Sequence, residues 1–213
     1  MKKRISMIMA ICLLLSLTAC GVNSGTNSNT EPSATQSQAE TPPSEPAAEP
    51  TEEAAKTLVV YFSATGNTKA VAEEIVRLTG ADLYEIVPAV PYTEEDLNYN
   101  NNDCRANQEM NDASARPAIG SEAIDISVYD TVFVGYPIWW GTMPRIINTF
   151  LDTYDLSSKT VLPFCTSGSS GITQSVSDIR AEEPDADVRD GLRASSANDN
   201  AIEGWIADNG IGQ

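Results

Sequence analysis

The stretch VVYFSATGNTKAVAEEI, residues 59 to 75, decides the fold. It begins as an apolar run with the length of a buried strand. Ser63, Ala64, Thr65, Gly66, Asn67 and Thr68 then form a turn of small and polar residues. From Asn67 onward Ala70, Val71, Ile75 and Leu78 fall on one helical stripe, Glu73, Glu74 and Arg77 are left for solvent, and Gly80 closes the end. A strand that passes through such a turn into a helix opens an α/β sheet, and ligands of such sheets settle at the carboxyl ends of the strands. The turn offers three hydroxyls, an amide side chain, a glycine and the free N–H groups of a helix start, which are the donors a phosphate requires. It is not a nucleoside-triphosphate loop, because Lys69 falls one position beyond Thr68, and it lacks the three spaced glycines of a dinucleotide fingerprint.

Outward from this unit, short apolar runs alternate with amphipathic stretches. The pattern predicts strands over 58–62, 81–87, 131–136, 160–165 and 188–194, and helices over 67–79, 143–154, 171–182 and 198–208. Residues 88–130 have room for one more helix starting at TEED, with Thr93 as cap and Asp96 three residues on, although NYNNNDC at 98–104 is poor helix material. Strands joined by single helices imply right-handed crossovers, a parallel sheet and helices on both faces, a three-layer α/β/α domain.

The N-terminal part has a different character. Lys2, Lys3 and Arg4 precede an apolar run over 5–19, the form of a secretory signal and short for a membrane span. Its end, LTACG at 17–21, resembles the lipobox of bacterial lipoproteins, which implies a signal over 1–19 and lipidation of Cys20; a plain signal that contains a cysteine is the alternative. Two or more acyl chains anchor stably, at about 0.8 kcal/mol per buried methylene. The following residues, to 56, lack aromatics and are rich in Ser, Thr, Asn, Glu and Pro, so 20–56 is expected to be a lipidated, disordered acidic tether before a domain over 57–213. A coil of that length spans roughly 30 to 36 Å, enough to hold the domain clear of the lipid.

Charge and composition exclude several chemistries. Thirty acidic residues face thirteen basic ones, a formal charge of −17, and the part from residue 57 onward has 24 acidic against 9 basic, or −15. Nucleic acid and anionic lipid are unsuited partners. The acidic balance is either a solubilising surface or a face for a basic redox partner. The chain has no histidine, which removes Ser-His-Asp and Cys-His catalysis and His-ligated zinc. Of four cysteines only Cys104 and Cys165 fall in the domain, too few for a tetrathiolate metal site or an iron–sulfur cluster; whether they join in a disulfide is open.

VVYFSATGNTKAVA at 59–72 resembles the flavodoxin signature of aliphatic pair, aromatic, Ser, two residues, Gly, one residue, Thr, three residues, Ala. The resemblance extends to about residue 211. It implies a flavodoxin-like fold with a five-stranded parallel sheet in the order 2-1-3-4-5, and flavin mononucleotide (FMN) as cofactor. Ser63, Ala64, Thr65, Gly66, Asn67 and Thr68 would hold the phosphate. GYPIWWGTMP at 135–144 is similar to the ring-flanking loop of a PIWWG subgroup, which implies Pro137, Ile138, Trp139, Trp140 and Gly141 at the ring, with Trp139 against its face and the other tryptophan in the core.

The third loop, CTSGSSGI at 165–172, is made of small residues that leave room for a ring edge, so Thr166, Ser167, Gly168, Ser169 and Gly171 are expected there, with N–H groups in reach of its carbonyl oxygens. Many flavodoxins carry a tyrosine here, and this chain has no aromatic between Phe164 and Trp205, so one ring face is expected to be open unless Tyr92 or Met143 covers it. Cys165 reads as a small buried residue, Tyr136 as wall, and Trp205 as a docking residue of the last helix. No residue is assigned a catalytic role.

The implied function is an electron carrier tethered to the outside of the cytoplasmic membrane, serving a redox partner protein. Its acidic surroundings disfavour a reduced, anionic flavin and suit a low-potential donor. The alternatives are an FMN-dependent quinone or nitro-compound reductase that oxidises NAD(P)H, and a ligand-binding lipoprotein without redox activity.

Overall fold

A computed structural model describes residues 55 to 212. The signal over 1–19, Cys20 and the tether as far as residue 54 lie outside the described residues. Six strands are all parallel, in the order β2-β1-β3-β4-β5 with β6 also on β4: β1 Thr57–Tyr61, β2 Asp82–Glu85, β3 Thr131–Pro137, β4 Thr160–Thr166, β5 Asp187–Val188 and β6 Leu192–Ala194. The helices are α1 Asn67–Thr79, α2 Arg105–Asn111, α3 Arg145–Thr153, α4 Thr173–Glu182 and α5 Ala201–Asp208.

Alternation along the central strands divides the core into two layers. Val59, Tyr61, Phe133, Leu162 and Phe164 face α1 and α5, where Val71, Ala72, Ile75, Ile202 and Ile206 meet them. Leu58, Val60, Phe62, Val132, Val134, Tyr136 and Val161 face the other side, against Ile146, Ile147 and Phe150 of α3 and Val176 and Ile179 of α4. Gly135 has to be glycine, since a Cβ there would stand 2.1 Å from the ring of Phe164. Trp205 docks on Phe133 at 5.5 Å and donates to the Asp190 carbonyl, the structural role expected of it.

Two elements differ from the expectation. The fifth strand is split by a bulge. The carbonyls of Lys159 and Val161 accept from the N–H groups of Asp187 and Arg189, and the next β4 residue on that side is Pro163, which has no N–H to continue the ladder. Three residues, 189–191, therefore stand opposite Leu162 and Pro163 before pairing resumes between Leu192 and Phe164. The helix expected at TEED is also absent. Thr93 and Asp96 do exchange capping hydrogen bonds, at 2.8, 2.9 and 3.2 Å, yet they close only a turn. The helix of this region starts at Arg105 with Cys104 as its cap, past the run of asparagines that tie their side chains to their own backbone.

Candidate functional site

The carboxyl ends of β1, β3 and β4 meet where the strand order reverses, and each releases one of the three loops. The first loop has the form of an anion cradle. Gly66, with φ +86°, caps α1 and brings no side chain to its N–H groups. Ser63 Oγ accepts from the Gly66 N–H at 3.1 Å, and Thr65 Oγ1 accepts from Asn67 Nδ2 at 3.2 Å, which leaves both hydroxyl protons to donate. Among the described residues no acceptor in the chain takes the N–H groups of Ala64, Thr65, Asn67 or Thr68. Thr68 is buried beneath the turn, and its hydroxyl lies 2.8 Å from that of Thr166 at the end of β4, so first and third loops are joined by one hydroxyl pair.

The second loop ends in a two-residue hairpin. Trp139 and Thr142 exchange backbone hydrogen bonds at 2.9 and 3.1 Å, and both residues between them have positive φ, Trp140 at +48° and Gly141 at +84°. That is the geometry of a type I′ turn, ordinary for Gly141 and strained for a bulky side chain. The turn throws Trp140 outward. Its ring is 47% exposed and meets Tyr99, 69% exposed, edge to face at 5.9 Å. Trp139 is 8% exposed and lies edge-on to Phe62 and Tyr92 at 5.6 and 5.3 Å.

Together the loops enclose a cavity of about 800 Å³. Of the residues singled out in the sequence, Ala64, Thr65 and Asn67 line it from the first loop, Pro137, Ile138, Trp139 and Trp140 from the second, and Thr166, Ser167, Gly168 and Ser169 from the third. Ser63, Gly66, Thr68, Gly141 and Gly171 are not among its lining residues: the first three shape the α1 start and Gly141 makes the turn.

Both tryptophans line the cavity; Trp139 is also packed into the core, and Trp140 presents the more open ring. Tyr92 is not among the lining residues. It packs on Phe62, lies 4.0 Å beneath the Arg105 guanidinium and donates to Glu109 at 2.5 Å, and burial pushes its phenol well above the usual range. Met143 is buried as well.

Five lining residues carry no assignment from the sequence: Leu97, Tyr99, Ala106, Ser170 and Ser195. Tyr99 supplies the aromatic that the third loop lacks, and its signal was a lone tyrosine set among asparagines. Ser195 follows the last strand directly, at the end of the sheet where ligands collect. Cys104 and Cys165 are free, buried thiols. Burial pushes the Cys165 thiol up to about 12, with the Arg193 charge opposing, which leaves it protonated and unreactive. Tyr136 is likewise raised by burial and donates to Ser175. Among the described residues no cluster of His, Cys, Asp and Glu is placed to hold a metal ion.

The lining of the cavity combines a loop with unanswered N–H donors and an exposed aromatic pair, a fit for a ligand with an anionic tail and a flat ring. An α/β/α domain with this site is of the mononucleotide-binding class. The flavodoxin family model matches residues 56–209, and the chain belongs to the flavodoxin family. A solved structure of a candidate flavoprotein from Bacteroides eggerthii DSM 20697 is 46% identical, with a TM-score of 0.69 over 73% of this chain and 98% of that one. A flavoprotein from Lactobacillus acidophilus NCFM, solved in complex with FMN, is 27% identical with a TM-score of 0.59, covering 71% of this chain and 99% of its own. Among curated proteins there is no match.

Proposed function

We propose that the chain binds FMN in this cavity and acts as an electron carrier held on the outer face of the cytoplasmic membrane by lipidated Cys20. The observation that carries the reading is the cluster of free N–H groups at Ala64, Thr65, Asn67 and Thr68 on a cavity that the strained, exposed Trp140 also lines. The α1 N-terminus favours a dianion without a basic side chain. Ser63, Thr65 and Thr68 add hydroxyl donors, and the Thr68 and Thr166 pair fixes the floor. Trp140 offers its face to the ring, Tyr99 closes the rim, and the third loop supplies N–H groups at the ring edge. Bound FMN supplies the redox chemistry, taking and giving one or two electrons. The lactobacillar relative solved with FMN supports this choice of ligand.

The exposed rim formed by Tyr99 and Trp140 favours a second reading, a reductase in which a flat acceptor follows a nicotinamide onto the open face. Steady-state oxidation of NADH and NADPH with a quinone acceptor separates the two. The carrier predicts turnover no faster than free FMN at equal concentration, and saturable turnover well above it would establish the reductase.

A further inference from the structure

Arg193 is a basic residue bonded to the third loop, and neither its charge nor its contacts are used by the phosphate cradle. It sits in β6 opposite Cys165 and donates from one Nη to two successive carbonyls of the loop, Ser167 O at 3.0 Å and Gly168 O at 3.2 Å. In a planar trans peptide the N–H points opposite to the C=O, so holding those carbonyls turns the N–H groups of Gly168 and Ser169 the other way. Both residues line the cavity, and among the described residues neither N–H has an acceptor in the chain. Two free N–H groups side by side form an anion-favouring concavity. Arg193 itself makes no ion pair among the described residues, and the Asp199 carboxylate, whose pKa its charge helps to lower, is the acidic group that feels it.

We propose that Arg193 is a positioning residue for the ring end of the site: it presets the Gly168 and Ser169 N–H groups toward the ring's carbonyl edge and backs them with positive charge in an otherwise acidic domain. The proposal rests on the FMN reading above. Its consequence runs against the overall −15 of the domain: where the ring gains electron density Arg193 adds positive charge, and reduction is easier than the net charge implies.

The test uses the full chain as wild type, Arg193→Ala, Arg193→Gln and Arg193→Lys, titrated with FMN and with riboflavin, with midpoint potentials measured on the FMN complexes. Because the loop addresses the ring and not the phosphate, Arg193→Ala and Arg193→Gln should each weaken FMN and riboflavin by the same factor, about tenfold. The potential should fall by about 59 mV for a tenfold poorer one-electron reduction. Arg193→Lys keeps the charge and loses the planar fork, so it should restore the potential while the affinity recovers only in part. A purely structural arginine would alter unfolding midpoints without that charge-dependent rescue. The proposal is overturned by variants that bind both flavins at wild-type affinity and potential, or that lose FMN but not riboflavin. If wild type binds neither flavin, the FMN reading itself fails and takes the proposal with it.

Discussion

Replacing each tryptophan of the pair by alanine should separate wall from ligand face. With 47% of the residue exposed, and taking the upper end of the 150 to 250 Å² range for large aromatics, about 120 Å² of Trp140 is open. A flat ligand resting on one side covers about half of that, roughly 60 Å², which at ~25 cal/mol per Å² is about 1.5 kcal/mol, or a rise in Kd of about tenfold. Trp140→Ala should therefore weaken FMN about tenfold while changing the stability of the ligand-free protein by less than about 1 kcal/mol. Trp139→Ala deletes a buried ring packed on Phe62 and Tyr92 and should cost about 3 to 5 kcal/mol of stability. Urea unfolding of the ligand-free variants and quenching of flavin fluorescence on titration give the two readouts. Wild-type affinity in Trp140→Ala, or an unfolding midpoint that falls more in Trp140→Ala than in Trp139→Ala, refutes the division of roles.

Further outcomes follow from other parts of the structure. Thr68→Val removes the hydroxyl that meets Thr166 beneath the cradle and should weaken FMN by about 1 to 3 kcal/mol and riboflavin by much less, measured by the same titration. Gly135→Ala forces a methyl to within 2.1 Å of the Phe164 ring and should lower stability by roughly 1 to 3 kcal/mol or more, read from the urea midpoint. Burial pushes the Glu182 carboxyl above its ordinary value, partly offset by the Asn148 hydrogen bond; Asn148 Nδ2 donates to Oε1 at 2.6 Å, while Asn148 Oδ1 and Glu182 Oε2 are left without partners. The folded protein thus holds the proton more tightly than the unfolded chain, so the contribution is full below the ordinary glutamate value and is lost as pH rises through the raised folded value. Glu182→Gln should flatten the dependence of the urea midpoint on pH and raise the midpoint at neutral pH. Cys20→Ala should move the exported protein from the membrane to the soluble fraction and remove the acyl mass from its mature N-terminus.

The parallel layered architecture and the first loop were legible because they rest on local signals, whereas the strand order came from the resemblance to flavodoxins. The stripe of Val71, Ile75 and Leu78 could only be a helix face, and a hydroxyl-rich turn between strand and helix has few uses. The break in the fifth strand was not legible from its own residues, since its cause, Pro163, lies on the neighbouring strand and acts only once the register is known. The roles of Trp139 and Trp140 depend on a turn type in which a tryptophan takes positive φ, a conformation that propensity alone assigns to glycine or asparagine. Tyr99 joined the site through the asparagine-rich segment after Thr93, whose path is set by side chains bonding their own backbone rather than by periodicity. Arg193 was hidden for a related reason, because its importance comes from which carbonyls it meets across the β4 edge.

The central claim, one FMN per chain with its phosphate at the α1 start, is tested most directly by calorimetric titration of the flavin-free protein with FMN, riboflavin and inorganic phosphate. The account predicts stoichiometric FMN binding, riboflavin weaker by at least tenfold, and a loss of FMN affinity when phosphate is present as competitor. Equal affinity for FMN and riboflavin, or no binding of either, would contradict it.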